Sequence, residues 1–127
     1  MDVKFNIYMN ILIINNKNIY FSEYQKQIFE FNIIENHIYI LTNKGWRDDY
    51  SNYQISNNIF KFDFDGNLIY RTGFLELEKP VFGEKKFEAS NLSIKDGQLY
   101  LGYGIGYEAW ADIETGKIIK GRFEGRK

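Results

Sequence analysis

The chain has 127 residues, of which 44% are hydrophobic and 26% charged, a balance typical of one soluble globular domain and unlike that of disordered chains. Its formal net charge of −1 argues against nucleic acid or an anionic membrane as a partner, because both attract strongly basic surfaces. The absence of cysteine excludes disulfides, thiolate metal sites and cysteine nucleophiles.

Aromatic residues make up 18% of the chain, whereas alanine occurs only at positions 89, 109 and 111. Strands favour aromatic and β-branched residues and helices favour alanine, so the composition predicts an all-β protein. No long window has the apolar spacing of a helix. Short alternating runs instead predict strands, in chain order, at Val3–Tyr8, Asn10–Ile14, Asn18–Phe21, Gln27–Ile33, His37–Thr42, Asn58–Phe64, Asn67–Thr72, Phe87–Ile94, Gln98–Gly102, Glu108–Ile113 and Lys117–Phe123.

Tight turns separate these runs. Asp65-Gly66 and Asp96-Gly97 are typical of two-residue hairpin turns of type I′, in which glycine accepts the positive φ that the turn requires. Asn15-Asn16, Glu35-Asn36 and Thr115-Gly116 occupy similar positions between runs. The spacing of these turns predicts antiparallel sheets built from hairpins.

The sequence contains an internal repeat. Residues 33–41 (IIENHIYIL) match residues 92–101 (LSIKDGQLYL), and residues 60–70 (FKFDFDGNLIY) match residues 109–119 (AWADIETGKII). We therefore expect one all-β domain spanning residues 1–127, with two four-stranded antiparallel sheets and additional N-terminal strands. Its expected parts are a partial N-terminal unit, a first four-stranded unit, a connection that contains Pro80 and a second four-stranded unit, at residues 1–26, 27–72, 73–86 and 87–123.

The repeated units resemble β-propeller blades of the quinoprotein and kelch-like kind. In such blades a strand carrying aspartate meets a turn with glycine, and an apolar strand follows; the matching residues here are Asp63, Gly66, Leu68, Asp112, Gly116 and Ile118. A closed propeller needs about four to eight blades of ~40–45 residues, which is more than this chain holds. The resemblance therefore implies an incomplete or half propeller.

The first unit carries an insertion, GWRDDYSNY, at residues 45–53. Tyr39 and Tyr100 lie 61 positions apart, whereas Asp63 and Asp112 lie 49 apart, so the first unit is longer between its second and third strands. Insertions on repeat scaffolds usually map to loops, and often to the binding face.

We predict that this loop and the corresponding loop of the second unit bind a partner. Tyrosine and tryptophan anchor protein interfaces, and the aspartates add negative charge. The alternative is that Trp46 packs on the core and the aspartates are solvated turn residues. The predicted partner-binding residues are Trp46, Arg47, Asp48, Asp49, Tyr50, Tyr53, Tyr103, Tyr107 and Glu108.

The sequence offers little for catalysis. His37 is the only histidine and lies at a hairpin turn, so neither a catalytic triad nor a zinc site is expected. The stretch DFDGN at residues 63–67 begins like a calcium loop, but Phe74 stands where the closing glutamate is needed. The glycines of GYGIG at residues 102–106 precede no helix and lack dinucleotide-binding spacing. We predict no enzyme activity, no cofactor and no metal.

In overall profile the chain is similar to immunity proteins of bacterial toxin–immunity pairs, such as those of contact-dependent growth inhibition. That resemblance implies a cytoplasmic protein that binds one cognate toxin, in the first instance a nuclease domain, and covers its active site. We expect no contact with nucleic acid or membrane, and a monomer or weak homo-oligomer when alone. Two alternatives stay open: a structural protein that assembles, in a phage or as a propeller-like homo-oligomer, and a carbohydrate- or ligand-binding module using Trp46, Tyr50 and Trp110.

Overall fold

The computed structural model describes residues 2–6, 8–24, 26–43, 56–81, 83–104 and 106–123. These residues contain one short 3₁₀ helix, η1 (Phe21–Tyr24), no α-helix, and no helix that is long and apolar enough to cross a membrane. Their strands are β1 (Val3–Asn6), β2 (Ile11–Ile14), β3 (Lys17–Tyr20), β4 (Gln27–Ile34), β5 (His37–Asn43), β6 (Ile59–Phe62), β7 (Leu68–Thr72), β8 (Leu75–Val81), β9 (Glu84–Phe87), β10 (Asn91–Lys95), β11 (Gln98–Tyr103), β12 (Tyr107–Ala111) and β13 (Ile118–Phe123).

The strands form four antiparallel sheets, in the orders β1-β2-β3, β4-β5-β6-β7, β8-β9 and β10-β11-β12-β13. The predicted all-β fold, with two four-stranded antiparallel sheets and further N-terminal strands, is confirmed. Each four-stranded sheet follows the order of the chain, so its neighbouring strands are also neighbours in sequence. The described strands do not form a closed propeller.

The chain divides into two compact units. The first comprises residues 1–53 and 59–70, and the second comprises residues 54–58 and 71–127. The first unit holds the three-stranded sheet and most of the sheet β4–β7, and the second holds the hairpin β8-β9 and the sheet β10–β13.

Three two-residue turns have the type I′ backbone expected from the sequence. Both residues have positive φ at Asn15-Asn16 (47° and 71°), at Glu35-Asn36 (49° and 64°) and at Asp96-Gly97 (53° and 76°). This geometry matches the right-handed twist of the strands on either side. The turns therefore fix the register of the pairs β2–β3, β4–β5 and β10–β11.

The prediction of a two-residue turn at Asp65-Gly66 is wrong, because Asp63 closes a longer loop. The Asp63 backbone N–H donates to the carbonyl oxygen of Asn67 at 3.0 Å. The Asp63 carboxylate accepts the backbone N–H groups of Asp65 and Asn67, each at 2.9 Å. The hydrogen bond from the Asn67 backbone N–H lowers the pKa of the Asp63 carboxyl, and the bonds from the Asn67 side chain and the Asp65 backbone N–H lower it further.

The second unit closes its matching loop in the same way. The Asp112 backbone N–H donates to the carbonyl oxygen of Lys117 at 2.8 Å. The Asp112 carboxylate accepts the backbone N–H groups of Glu114 and Thr115, each at 2.9 Å. The shared loop architecture is the structural counterpart of the sequence repeat.

The segment expected to be a plain connection contains a hairpin instead, formed by β8 and β9. The single predicted strand Phe87–Ile94 is likewise wrong, since β9 ends at Phe87 and β10 begins at Asn91. Pro80 lies where the pairing of β8 with β9 is irregular, so its missing N–H interrupts no regular ladder. Pro80 favoured the prediction of a connection, but a strand can contain proline where its pairing is irregular.

The core of the first unit lies against the sheet β4–β7. The Phe21 ring centroid is 4.9 Å from that of Phe60, at an interplanar angle of 71°. The 3₁₀ helix η1 therefore places an aromatic ring against β6. The buried members of this cluster are Leu12, Ile14, Phe21, Ile28, Ile38, Ile40, Phe60 and Phe62.

Replacing Phe60 by alanine should lower the free energy of unfolding by about 3–5 kcal/mol, because it removes a fully buried ring and leaves a cavity. Urea unfolding followed by circular dichroism measures this change. Phe123→Ala is the matched control: its ring is 50% exposed, so the change should stay below about 0.5 kcal/mol. Equal losses in the two variants would contradict the placement of the core.

Candidate binding surface

The second four-stranded sheet has one buried face and one face open to solvent. Leu101 and Ala109 are register partners and are fully buried, whereas their neighbours Tyr100 and Trp110, also register partners, are half-buried. Because side chains alternate along a strand, the register assigns each residue of β10–β13 to one of the two faces. The open side is named the cation–aromatic face after its members Lys95, Tyr100, Glu108, Trp110, Lys120 and Arg122.

Two aromatic rings lie side by side on the cation–aromatic face. The ring centroids of Tyr100 and Trp110 are 5.3 Å apart, at an interplanar angle of 67°. The Lys95 Nζ lies 3.9 Å from the Tyr100 centroid, and the Lys120 Nζ lies 4.8 Å from the Trp110 centroid. These are cation–π distances, so each ring has an ammonium group over one of its faces.

Glu108 braces the aromatic pair. Its side chain is only 8% exposed, and its Oε1 accepts bonds from Arg122 Nε at 3.0 Å and Arg122 Nη2 at 2.5 Å. The Tyr100 hydroxyl donates to Oε2. The Tyr100 hydroxyl first, and the Arg122 guanidinium after it, hold the pKa of the Glu108 carboxyl below its ordinary value. The carboxylate thus stays charged at neutral pH and fixes the position of both partners.

The equivalent positions of the first unit are closed to solvent. Tyr39 and Lys61 are register partners there, as Tyr100 and Trp110 are in the second unit, but they are only 1% and 5% exposed. The Lys61 Nζ lies 5.5 Å from the Tyr39 ring centroid and 5.1 Å from that of Tyr70. Burial raises the pKa of the Tyr39 hydroxyl. Of the two repeats, the second is therefore the one that exposes this position to solvent.

Six of the predicted partner-binding residues lie outside the described part of the chain: Trp46, Arg47, Asp48, Asp49, Tyr50 and Tyr53. Of the other three, Tyr103 and Tyr107 are register partners with ring centroids 6.3 Å apart. Tyr103 is buried, its hydroxyl donates to the carbonyl oxygen of Gly73 at 2.8 Å, and burial raises its pKa. Glu108 follows Tyr107 directly in β12 and so lies on the other face of the sheet, with Arg122.

The residues predicted to bind a partner did not include Tyr100, Lys95, Lys120 or Arg122, and Trp110 was predicted only as a sugar-stacking residue. Their signal was present in the alternation of β11 and β12. Reading it requires the register of the hairpin between them, which pairs Tyr103 with Tyr107 across the glycine-rich turn. With that register, every second residue of both strands falls on one face.

A lysine ammonium occupies one face of each aromatic ring, Lys95 on Tyr100 and Lys120 on Trp110. Tryptophan, tyrosine and arginine are the residues enriched at the centres of protein interfaces. Within the described residues, no group of three or more histidine, aspartate or glutamate side chains is placed to hold a metal ion.

No protein-family model matches this chain, and searches of curated proteins and of solved structures found no match either. Its function is therefore inferred from the geometry and chemistry of its own residues.

Glu108→Gln should lower Tm by several degrees at neutral pH, because it removes the charge that Arg122 and Tyr100 bind. The folded-state pKa lies below the unfolded one, so this stabilisation is present above the ordinary glutamate range and is lost as the pH falls through the folded-state pKa. The Tm difference between wild type and variant should accordingly shrink in acid. Thermal unfolding followed by circular dichroism across that range measures it.

Glu114→Gln serves as the control, because Glu114 is an exposed glutamate in the loop before β13. Its Tm should match that of the wild type at each pH. A Tm loss in Glu108→Gln that is the same at neutral and acid pH would show that shape, and not charge, explains the effect.

Proposed function

We propose that this chain is an immunity-type binding protein, which neutralises a cognate bacterial toxin by covering its active site. The observation that carries the proposal is the Tyr100–Trp110 pair on the open face of the second sheet, held in place by Glu108, Arg122 and Lys95. Such a pair loses little rotamer freedom on binding, because its neighbours already fix it. It therefore has the properties of an interface anchor.

Charge supports a partner with a strongly polar site. The cation–aromatic face combines three cations, Lys95, Lys120 and Arg122, with one carboxylate, Glu108. The insertion at residues 45–53 adds Asp48 and Asp49 to its aromatic residues. Nuclease sites combine basic groups that hold phosphate with carboxylates that hold metal ions, so an inhibitor carrying both signs of charge can complement one. A nuclease domain is for this reason the proposed class of toxin.

The test begins with the immobilised chain and a lysate of the source organism. The captured polypeptide is identified, purified and assayed for cleavage of DNA and RNA with increasing amounts of the chain. The proposal expects cleavage that is abolished near an equimolar ratio. A captured polypeptide with no toxic activity, or one whose activity persists at saturating chain, would overturn the proposal.

Trp110→Ala should raise the concentration of chain needed for half-inhibition by roughly tenfold to a hundredfold, since hot-spot truncation costs about 2 kcal/mol or more. Tyr8→Ala is the matched control, because Tyr8 is an aromatic residue that is 97% exposed in the first unit. It should inhibit like the wild type. If Trp110→Ala inhibits as well as Tyr8→Ala, Trp110 is not an anchor of the interface.

The triple variant Trp46→Ala, Asp48→Ala, Asp49→Ala tests the insertion at residues 45–53 separately. If the insertion contributes contacts, this variant should lose capture of the toxin, while the double variant Ser51→Ala, Asn52→Ala should retain it. The readout is the dissociation constant from calorimetry with the purified toxin. Full affinity in the triple variant would restrict the site to the cation–aromatic face.

A further inference from the structure

Strand β13 is an edge of the second four-stranded sheet, and no strand among the described residues pairs with its outer side. Its register with β12 shows on which face of the sheet each of its residues lies. Lys120 and Arg122 lie on the cation–aromatic face, and Gly121 and Phe123 lie on the opposite face. Ile119 has no register partner, because the pairing shifts between Trp110 and Ala111.

This edge is more exposed than the opposite one. Ile119 is 53% exposed and Phe123 is 50% exposed. In the other edge strand, β10, the apolar residues Leu92 and Ile94 are half-buried, and its only cation is Lys95. An exposed edge offers unpaired backbone N–H and carbonyl groups to a further strand.

The Tyr107 ring packs against Gly121 in the edge strand. A Cβ atom added at Gly121 would lie 2.5 Å from Cε1 of Tyr107 and 2.6 Å from its hydroxyl oxygen, so the ring covers the glycine closely. Aromatic cover of this kind stabilises a glycine in an edge strand. Tyr107 is also the register partner of Phe123, which places two aromatic residues beside the same stretch of edge.

We propose that β13 accepts an added strand from a partner protein, and that apolar and acidic residues alternate in that strand. The edge supplies main-chain hydrogen bonds. The apolar side chains of the added strand pack beside Phe123, and its acidic side chains lie beside Lys120 and Arg122. The inference rests on the proposed function only in taking the partner to be a protein.

Charge distinguishes such a partner from a second copy of this chain. Two copies of β13 paired edge to edge would bring Lys120 and Arg122 close to the same cations, and like charges across a strand pair are destabilising. Acidic residues in the added strand would form cross-strand ion pairs instead. They would lie beside Lys120, which is the register partner of Trp110. The edge and the cation–aromatic face thus form one continuous binding surface.

The test uses a short synthetic peptide of alternating valine and glutamate, titrated into the full chain. Trp46→Phe leaves Trp110 as the only tryptophan, so its fluorescence reports on the neighbourhood of Lys120. Saturable binding is expected. A peptide of the same composition with its glutamates in one block, and one of alternating valine and lysine, should each bind at least about tenfold more weakly. Absence of saturable binding, or equal affinity for all three peptides, would overturn the proposal.

Two exposed lysines provide a matched pair of variants, since Lys120 lies on the edge strand β13 and Lys4 lies on β1, an edge strand of the three-stranded sheet. Lys120→Glu on β13 should weaken binding of the valine–glutamate peptide by roughly tenfold and improve binding of the valine–lysine peptide. Lys4→Glu should change neither by more than about twofold, because it lies outside the proposed surface. Equal effects of both variants would reveal attraction to the overall charge of the chain and would overturn strand addition. Circular dichroism verifies that each variant is folded.

The toxin assay separates this inference from the proposed function. If a captured toxin is inhibited but its binding is unaffected by Lys120→Glu and by the peptide, the proposed function stands and strand addition is overturned. If the peptide binds as expected but the captured protein has no toxic activity, the added-strand site stands and the immunity function is overturned.

Discussion

The register between β11 and β12 is the constraint on which the binding surface depends. A short turn sets it, in which the Gly106 N–H donates to the Tyr103 carbonyl oxygen at 3.1 Å and Gly106 adopts a φ of 81°. Because side chains alternate, a slip of one residue would turn Trp110 toward the core and bring Ala109 to the surface. Burial of the small and aliphatic residues on one face therefore specifies the aromatic pair on the other. On the cation–aromatic face, the bonds of Glu108 to Tyr100 and Arg122 hold these side chains in one arrangement.

The two units show how one scaffold can be used in two ways. In both, an aspartate that accepts two backbone N–H groups closes the loop between the third and fourth strands, and a tyrosine is the third residue of the second strand. Opposite that tyrosine the first unit has Lys61, which is buried, and the second has Trp110, which is half-exposed. In the first unit the buried lysine makes cation–π contacts with two tyrosine rings. In the second unit the tryptophan lies at the surface, beside the exposed lysines Lys95 and Lys120. The two units therefore differ in burial at this position.

Local sequence chemistry predicted the parts of the fold that depend on a few adjacent residues. Asn15-Asn16 and Asp96-Gly97 require positive φ, and they form the expected turns. The hairpin around Pro80 was missed because it pairs residues as far apart as Leu75 and Phe87. The longer loop at Asp63 was missed because a side-chain carboxylate helps to close it. The predicted binding residues include two that the structure places on opposite faces of one sheet. Tyr107 and Glu108 are adjacent in sequence and were grouped together, but adjacency within a strand sends side chains to opposite faces. The residue types of that segment indicated a binding role, but only the strand register shows which of them share a face.

Arg122 links the two parts of the proposed surface. It lies on the edge strand β13, its Cζ is 5.8 Å from the Trp110 ring centroid, and it donates two hydrogen bonds to Glu108. Its side chain is nevertheless 62% exposed, whereas that of Glu108 is 8% exposed. An incoming carboxylate can therefore approach the guanidinium from solvent. The ion pair with Glu108 holds the guanidinium at this place, and the same carboxylate accepts the Tyr100 hydroxyl. Arg122 therefore belongs both to the edge strand and to the cation–aromatic face.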